Sequence, residues 1–574
     1  MAGSLVLAAC GGSDSESTDV TDEGSDTTEA TAAPEPVTEE TLVEVTIAPE
    51  VEIEPQFGGT LRYAIEADVD GLNPTQNNIA ASGYVILNAV FDTLATYDEN
   101  DNAVADLAES FTPNDDYTQW EVKLREGVLF HDGTPLNAEA VVANFRSLRA
   151  SALPALAVNP FFPPAPATPE EPDPAVDVVD DLTVRFNLLD ANLLFPATLT
   201  GQLGMVASPT WLAAAAADPT LNQQPVGTGP FKFESRSEDS VTRLVRNDDW
   251  WGGDVYLDAV EFLPVTDTQT RGELLINGEI EALHTTSFPL IAELEAEGFQ
   301  QVLDETGEES FGMLNSSVPP FDDLRARQAV TLASPIEQYN LLINEGLSTR
   351  ANGRFVPTSR NYNPDVVQLG DDIAAAQPLV AEYCAEKGTE TNPLTGGPVC
   401  TDGKINMELQ WSGPSVDQTR IADLLEQAYS EAGFNVIRQE IPQDDHIIQV
   451  ALGQYNMVTW RQFGSPGTAP DNVWLLCRTV GFISLNWPRY CDEERDAKLL
   501  EAQVTADPDA RAAIYQEVEQ MINDAATYIF FNHTRWSNAF ADNVYGVCNA
   551  TLPDGSTARC TNNGAGRLSQ IWLQ

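Results

Sequence analysis

The side chains that could do chemistry here are four histidines, seven cysteines and a few aromatic and charged residues at strand ends. His131, His284, His446 and His533 are widely scattered and no C-x-x-C occurs, so they do not read as a metal centre. No G-x-S-x-G, H-E-x-x-H, G-x-x-x-x-G-K or G-x-G-x-x-G signature is present, and Gly227-Thr228-Gly229 runs straight into Pro230. No catalytic residue, metal or cofactor is therefore assigned, although a carboxylate pair built from distant positions would leave no motif. Residues suited to recognition are easier to find. Trp411 closes a strand read over Ile405–Gln410, Trp460-Arg461-Gln462-Phe463 follows a strand read over Tyr455–Thr459, and Glu66 follows the first strand. Strand ends are the usual ligand edge of α/β sheets. There an indole supplies a stacking face and Arg461 a fork for an anionic group such as a carboxylate. The competing reading makes Trp411, Trp460 and Phe463 packing residues and Arg461 a solvated charge.

The elements that must position these residues follow from periodicity. A strand over residues 58–65 leads through a polar turn to a helix over Gly83–Leu94, spaced by Val85, Leu87, Val90, Phe91 and Leu94. Trp120–Arg125 alternates as a strand, and Asn137 is placed to cap a helix through Phe145. Eight prolines between Pro154 and Pro174 argue against a helix or central strand and read as a surface excursion. The strand Leu182–Phe186 resumes regular structure. Strand Ile405–Gln410, helix Asp417–Ala432 ending at Gly433, and strand Phe434–Ile437 form one βαβ unit, which implies a parallel right-handed crossover. Asp509–Asp524 is a further amphipathic helix. The class is α/β with mixed sheets, and 574 residues exceed what one core sustains.

Acidic residues outnumber basic ones 88 to 29, a formal charge of −59 that excludes nucleic acid and anionic membrane as ligands and suits a salty medium. No apolar run is long enough to span a bilayer. Six cysteines fall as three close sequential pairs, Cys384 with Cys400, Cys477 with Cys491, and Cys548 with Cys560. Local pairing is one of many connectivities open to them. As disulfides they place the body in an oxidising space, outside the cytosol. The seventh, Cys10, ends Leu5-Val6-Leu7-Ala8-Ala9-Cys10, which resembles the lipobox of bacterial lipoproteins; that likeness implies cleavage before Cys10 and its diacylation. With no basic residue before Arg62, residues 1–10 read as a truncated signal peptide and lipobox. Residues 11–57, acidic and rich in Thr, Ala and Pro, read as a disordered tether.

A chain-long resemblance adds to this. Lys123-Leu124-Arg125-Glu126-Gly127-Val128-Leu129-Phe130-His131-Asp132-Gly133-Thr134-Pro135-Leu136-Asn137-Ala138-Glu139-Ala140-Val141 is similar to the signature of solute-binding family 5, the peptide and nickel class of ABC-importer receptors. Pro225–Phe231 (PVGTGPF), Arg246–Gly252 (RNDDWWG), Leu275–Ala282 and the run Leu314–Val330 resemble further family elements in family order. Most of these motifs read as backbone punctuation, with Arg325 and Arg327 pairing locally.

The resemblance implies a two-lobed periplasmic-binding-protein fold of type II with an extra subdomain, mixed sheets and a hinge-bending cleft. Its lobe I takes residues 58–90, 221–310 and 533–574, the subdomain 91–220, and lobe II 311–532. It further implies a monomeric, lipid-anchored, extracytoplasmic receptor that captures a peptide or similar medium-sized solute and hands it to permease subunits, not an enzyme. A surface hydrolase and a sensory or chaperone-like receptor are the alternatives. In peptide-binding members the second loop resembles W-x-x-D, whose Asp takes the peptide amine; Phe463 stands at that position here. Asn315, near an expected lobe crossing, completes the candidate ligand set of Trp460, Arg461, Phe463, Trp411 and Glu66.

Overall fold

The computed structural model describes residues 54–168, 171–305, 307–463 and 469–574, without the side chains of Asp444, Phe463 and Ala469. Cys10, the lipobox and nearly all of the tether lie outside the described residues. Three sheets carry the body. A seven-stranded mixed sheet runs in the order Gln300–Asp304, Trp536–Phe540, Ala282–Thr285, Thr60–Ile65, Ala259–Pro264, Val241–Arg246, Phe231–Ser237. A six-stranded sheet orders Cys400–Thr401, Lys404–Gly413, Met457–Phe463, Glu308–Leu314 and Tyr528–His533, with Phe434–Pro442 beside Lys404–Gly413. A four-stranded antiparallel sheet holds Ala108–Pro113, Gln119–Leu124, Thr183–Asn187 and Val176–Asp180. The chain passes from the first sheet to the second between Asp304 and Glu308, and returns between His533 and Trp536. No described helix is long and apolar enough to cross a membrane.

The βαβ unit forms as its sequence pattern requires. Ile405 pairs in parallel with Phe434, and the intervening helix Val416–Ala432 buries Ile421, Leu425 and Tyr429. It stops at Gly433, whose φ of 104° suits a residue without a Cβ. Asn137 accepts from the Ala140 amide (2.9 Å) and starts the helix Ala138–Arg149. The three disulfides are the local ones, Cys384–Cys400, Cys477–Cys491 and Cys548–Cys560.

Two expectations need correction. The helix read to Leu94 runs Ala81–Val90, because the Gly229 amide takes the Val90 carbonyl (2.8 Å) and turns the chain out. A Cβ on Gly227 would stand 2.2 Å from that same carbonyl oxygen. The proline-rich excursion opens with a short helix, Pro154–Val158, since proline is tolerated in a first turn. Nor is it wholly on the surface, for Ala155, Val158 and Phe162 are buried.

The family-like motifs hold this frame together. Asp92 accepts from Thr228 Oγ1 (2.9 Å), Trp251 Nε1 (2.7 Å) and Trp250 Nε1 (3.3 Å), so two motifs converge on one buried carboxylate. Burial and the neighbouring Asp106 push that carboxyl up to about 6. Asp132 accepts from the Thr134 amide, and His131 Nε2 meets the Gly229 carbonyl at 2.9 Å. Arg325 pairs with Asp323 (2.6 Å), while Arg327 donates to the Ala525 and Phe321 carbonyls.

Candidate functional site

A cavity of about 1600 Å³ opens among the three sheets. Glu66 and Thr286 come from the ends of first-sheet strands, Phe162 and Asp190 from the segments around the four-stranded sheet, and His446, Trp460 and Arg461 from the second-sheet side. Three small antiparallel steps place Arg461: the strand Met457–Phe463 runs against Glu308–Leu314, setting Arg461 opposite Ser310, Trp460 opposite Phe311 and Phe463 opposite Glu308.

From there the Arg461 guanidinium reaches across the cavity. Nη2 bonds Glu66 Oε1 (2.7 Å), Nη1 bonds Thr286 Oγ1 (2.9 Å), Nε meets Glu308, and the carbon of the fork lies 4.6 Å from the Trp536 ring centre. Trp536 Nε1 in turn donates to the other Glu308 oxygen (3.0 Å). Burial pushes the Glu66 carboxyl up, but Arg461, with His284 and Arg271, outweighs it and holds it at about 2. Burial raises the Glu308 carboxyl despite Arg461. The Glu66 amide donates to His284 Nε2 (2.9 Å), whose imidazole burial lowers to about 4, so the ring is neutral. Arg271 donates to the His284 carbonyl (3.1 Å) and the Val265 carbonyl (2.5 Å).

Further contacts join the two sides of the cavity. Arg478 pairs with Asp190, the Leu193 amide donates to the Gln503 carbonyl (2.9 Å), and Thr268 Oγ1 meets Asp417 at 3.3 Å. On the second-sheet wall Trp460 sits edge-on to Trp487 (centroids 4.6 Å), beside His446 (5.2 Å), and Trp474 touches Trp487 (4.8 Å). This wall offers stacking and cation–π surface to a ligand.

Of the residues singled out from sequence, Glu66, Trp460 and Arg461 meet in the cavity. The Phe463 side chain lies outside the described residues. Trp411 and Asn315 are corrections. Trp411 is 3% exposed in the core of the second sheet, under the Arg438 guanidinium at 5.1 Å, because it points inward from its strand while Ser412 and Gly413 turn to the cavity. Asn315 is fully buried; its amide donates to the Gly453 (2.9 Å) and Tyr455 (3.0 Å) carbonyls and its oxygen accepts from Ser317, which pins a turn. Arg461 as a free fork for an anion is a third, since its charge is paired with Glu66 and Glu308 and a third donor goes to Thr286. Sequence reasoning missed Thr286, Glu308, Trp474, Trp487 and the Asp190–Arg478 pair. Thr286 follows the carboxyl end of Ala282–Thr285, so the strand-end rule applied to every strand would have found it, whereas Glu308 opens its strand and leaves no such signal.

Comparison with known proteins agrees with this architecture. The chain is 25% identical over 508 residues to di/tripeptide-binding protein 2 of Pseudomonas aeruginosa, covering 85% of this chain and 92% of that one. It is 26% identical over 445 residues to heme-binding protein A of Haemophilus influenzae, covering 75% and 78%. The oligopeptide-binding protein of Bacillus subtilis, solved with a nonapeptide, superposes with a TM-score of 0.74 at 22% identity over 91% of this chain and 100% of its own. The fold is thus that of the two-lobed periplasmic binding proteins, and the named relatives are binding proteins, not enzymes. Residues 102–482 match the bacterial extracellular solute-binding proteins, family 5 Middle, and the chain belongs to that family.

Proposed function

We propose that this receptor captures a peptide or similar medium-sized solute outside the cytoplasm by closing its lobes over it, and delivers it to the permease of an ABC importer. The single observation that carries the reading is the cavity of about 1600 Å³, walled by all three sheet regions and bridged by Arg461 and Arg478. That volume exceeds a drug-sized pocket and suits a few amino-acid residues. Lobe I takes residues 58–90, 221–310 and 533–574, the extra subdomain 91–220, and lobe II 311–532, with rotation absorbed where the chain crosses near residues 304–308 and 533–536. Trp460, Arg461 and Glu66 shape the ligand wall. The receptor works as a monomer, held to the membrane by a lipid on Cys10 and the acidic spacer behind it; the lipobox-like Leu5–Cys10 run supports this.

Capture is physical. Closure excludes water, which strengthens each polar contact inside, and the ligand stabilises whichever state it fits better. The test is native mass spectrometry of protein purified from its own host. A retained peptide-sized solute that leaves on mild denaturation is expected; covalent turnover of added peptides, or no exchangeable solute under any growth condition, overturns the reading.

A further inference from the structure

Four formal charges meet on one wall of the cavity: Glu66 and Glu308 against Arg461 and Arg271. Arg461 is paired with both carboxylates, donates to Thr286 and is covered by the Trp536 ring, and Arg271 is anchored by two backbone carbonyls. The other titratable groups facing Arg461 are neutral, His284 through its lowered pKa and Tyr339 through its raised one. Asp417 and Asp267 act on Arg271 from beside this cluster, Asp417 accepting from Thr268 and Asp267 from the Thr270 amide. A ligand ammonium set against this wall would find both Glu308 oxygens and one Glu66 oxygen engaged, and two guanidiniums beside it. A ligand carboxylate would find three of the five Arg461 N–H donors already engaged and two carboxylates beside the fork. Either charge would be desolvated against two carboxylates and two guanidiniums that already balance one another, whereas an uncharged polar or apolar group meets no such cost.

We propose that Arg461 is a built-in counter-cation that sets the charge specificity of the cleft: by occupying Glu66 and Glu308 it selects a ligand group of no net charge at this wall. The inference rests on the receptor reading above and names the class of ligand group that this wall accepts. Arg461 is thus a specificity residue, and the balance it keeps can be tipped either way.

The probes are the tripeptides Ala-X-Ala with lysine, glutamine or glutamate at X, titrated calorimetrically into ligand-stripped protein. The native protein is expected to bind the glutamine peptide tightest. Arg461→Met uncovers two carboxylates and should shift preference toward the lysine peptide at least tenfold. Glu66→Gln leaves a surplus guanidinium and should shift it toward the glutamate peptide. The double variant Glu66→Gln with Arg461→Met should lie between the two single variants in its lysine-to-glutamate ratio. Thermal unfolding accompanies each titration; if Arg461→Met fails to fold, the opposite shift in Glu66→Gln still decides. A native preference for the glutamate peptide that Arg461→Met abolishes, or equal losses for all three peptides, overturns the inference while leaving the receptor reading intact. Failure of the native protein to bind any of the three counts against the peptide-receptor reading itself and removes the inference with it.

Discussion

Two carboxylates, the buried Asp92 and the half-buried Glu66, collect donors in opposite ways. Asp92 takes Thr228, Trp250 and Trp251, which lie within one stretch of chain and inside recognisable motifs. Glu66 is bonded to Arg461, 395 positions away, and its amide meets His284. The first arrangement is a joint in the frame; the second bridges the cleft. The difference teaches that local motifs here mark backbone architecture, while ligand-facing chemistry is assembled from strand ends that share no sequence neighbourhood.

Breaking the joint should cost more than altering the bridge. Gly227→Ala drives a Cβ against the Val90 carbonyl, and we expect a loss of about 3 kcal/mol or more, read as a lowered denaturant midpoint. An unchanged midpoint would show that the joint yields easily. Opening the Cys477–Cys491 disulfide frees a 14-residue loop that carries Arg478 and Trp487 to the cavity, at about 3 kcal/mol. Reduction should lower Tm and loosen ligand together. A fall in Tm with no change in binding would uncouple the loop from the cleft.

How much of this was readable beforehand divides along the same line. The βαβ unit and the Asn137 cap were legible because each depends on residues close in the chain, whereas the cysteine pairing stayed open among many connectivities until the fold joined sequential neighbours. Arg461, Trp460 and Glu66 were legible as strand-end residues, yet the role of Arg461 was not. Its partners Thr286 and Glu308 belong to other strands, and only the tertiary fold decides whether a guanidinium is free or paired. Trp411 failed for a different reason: the strand runs on to Gly413, and Trp411 continues the period-two face of Ile405, Met407 and Leu409 into the second-sheet core.

Two gentler perturbations sharpen the comparison through pH. Asp92 titrates near 6 in the folded chain against 3.8 for an unperturbed carboxyl. Its proton is therefore held more tightly in the folded state, so its contribution to stability is complete below pH 3.8 and is lost as pH rises toward 6. Asp92→Asn should flatten the stability–pH curve across that window, measured by urea unfolding at several pH values; an unaltered slope would contradict the assignment. The smallest effect is expected at Glu309, fully buried on the crossing strand 3.1 Å from His533 Nδ1. Burial holds its carboxyl protonated well above the ordinary range, and burial lowers His533 to about 4, so the pair is neutral. Glu309→Gln should change stability at pH 7 by less than about 1 kcal/mol. A loss of several kcal/mol would mean that the carboxylate is charged and paired.

The central claim is that the lobes close on a solute, and small-angle X-ray scattering tests it most directly. Protein stripped of solute by denaturation and refolding should show a larger radius of gyration than the same protein given back what it released, with the native fold regained in both. Superimposable curves, with binding verified independently, would contradict the account.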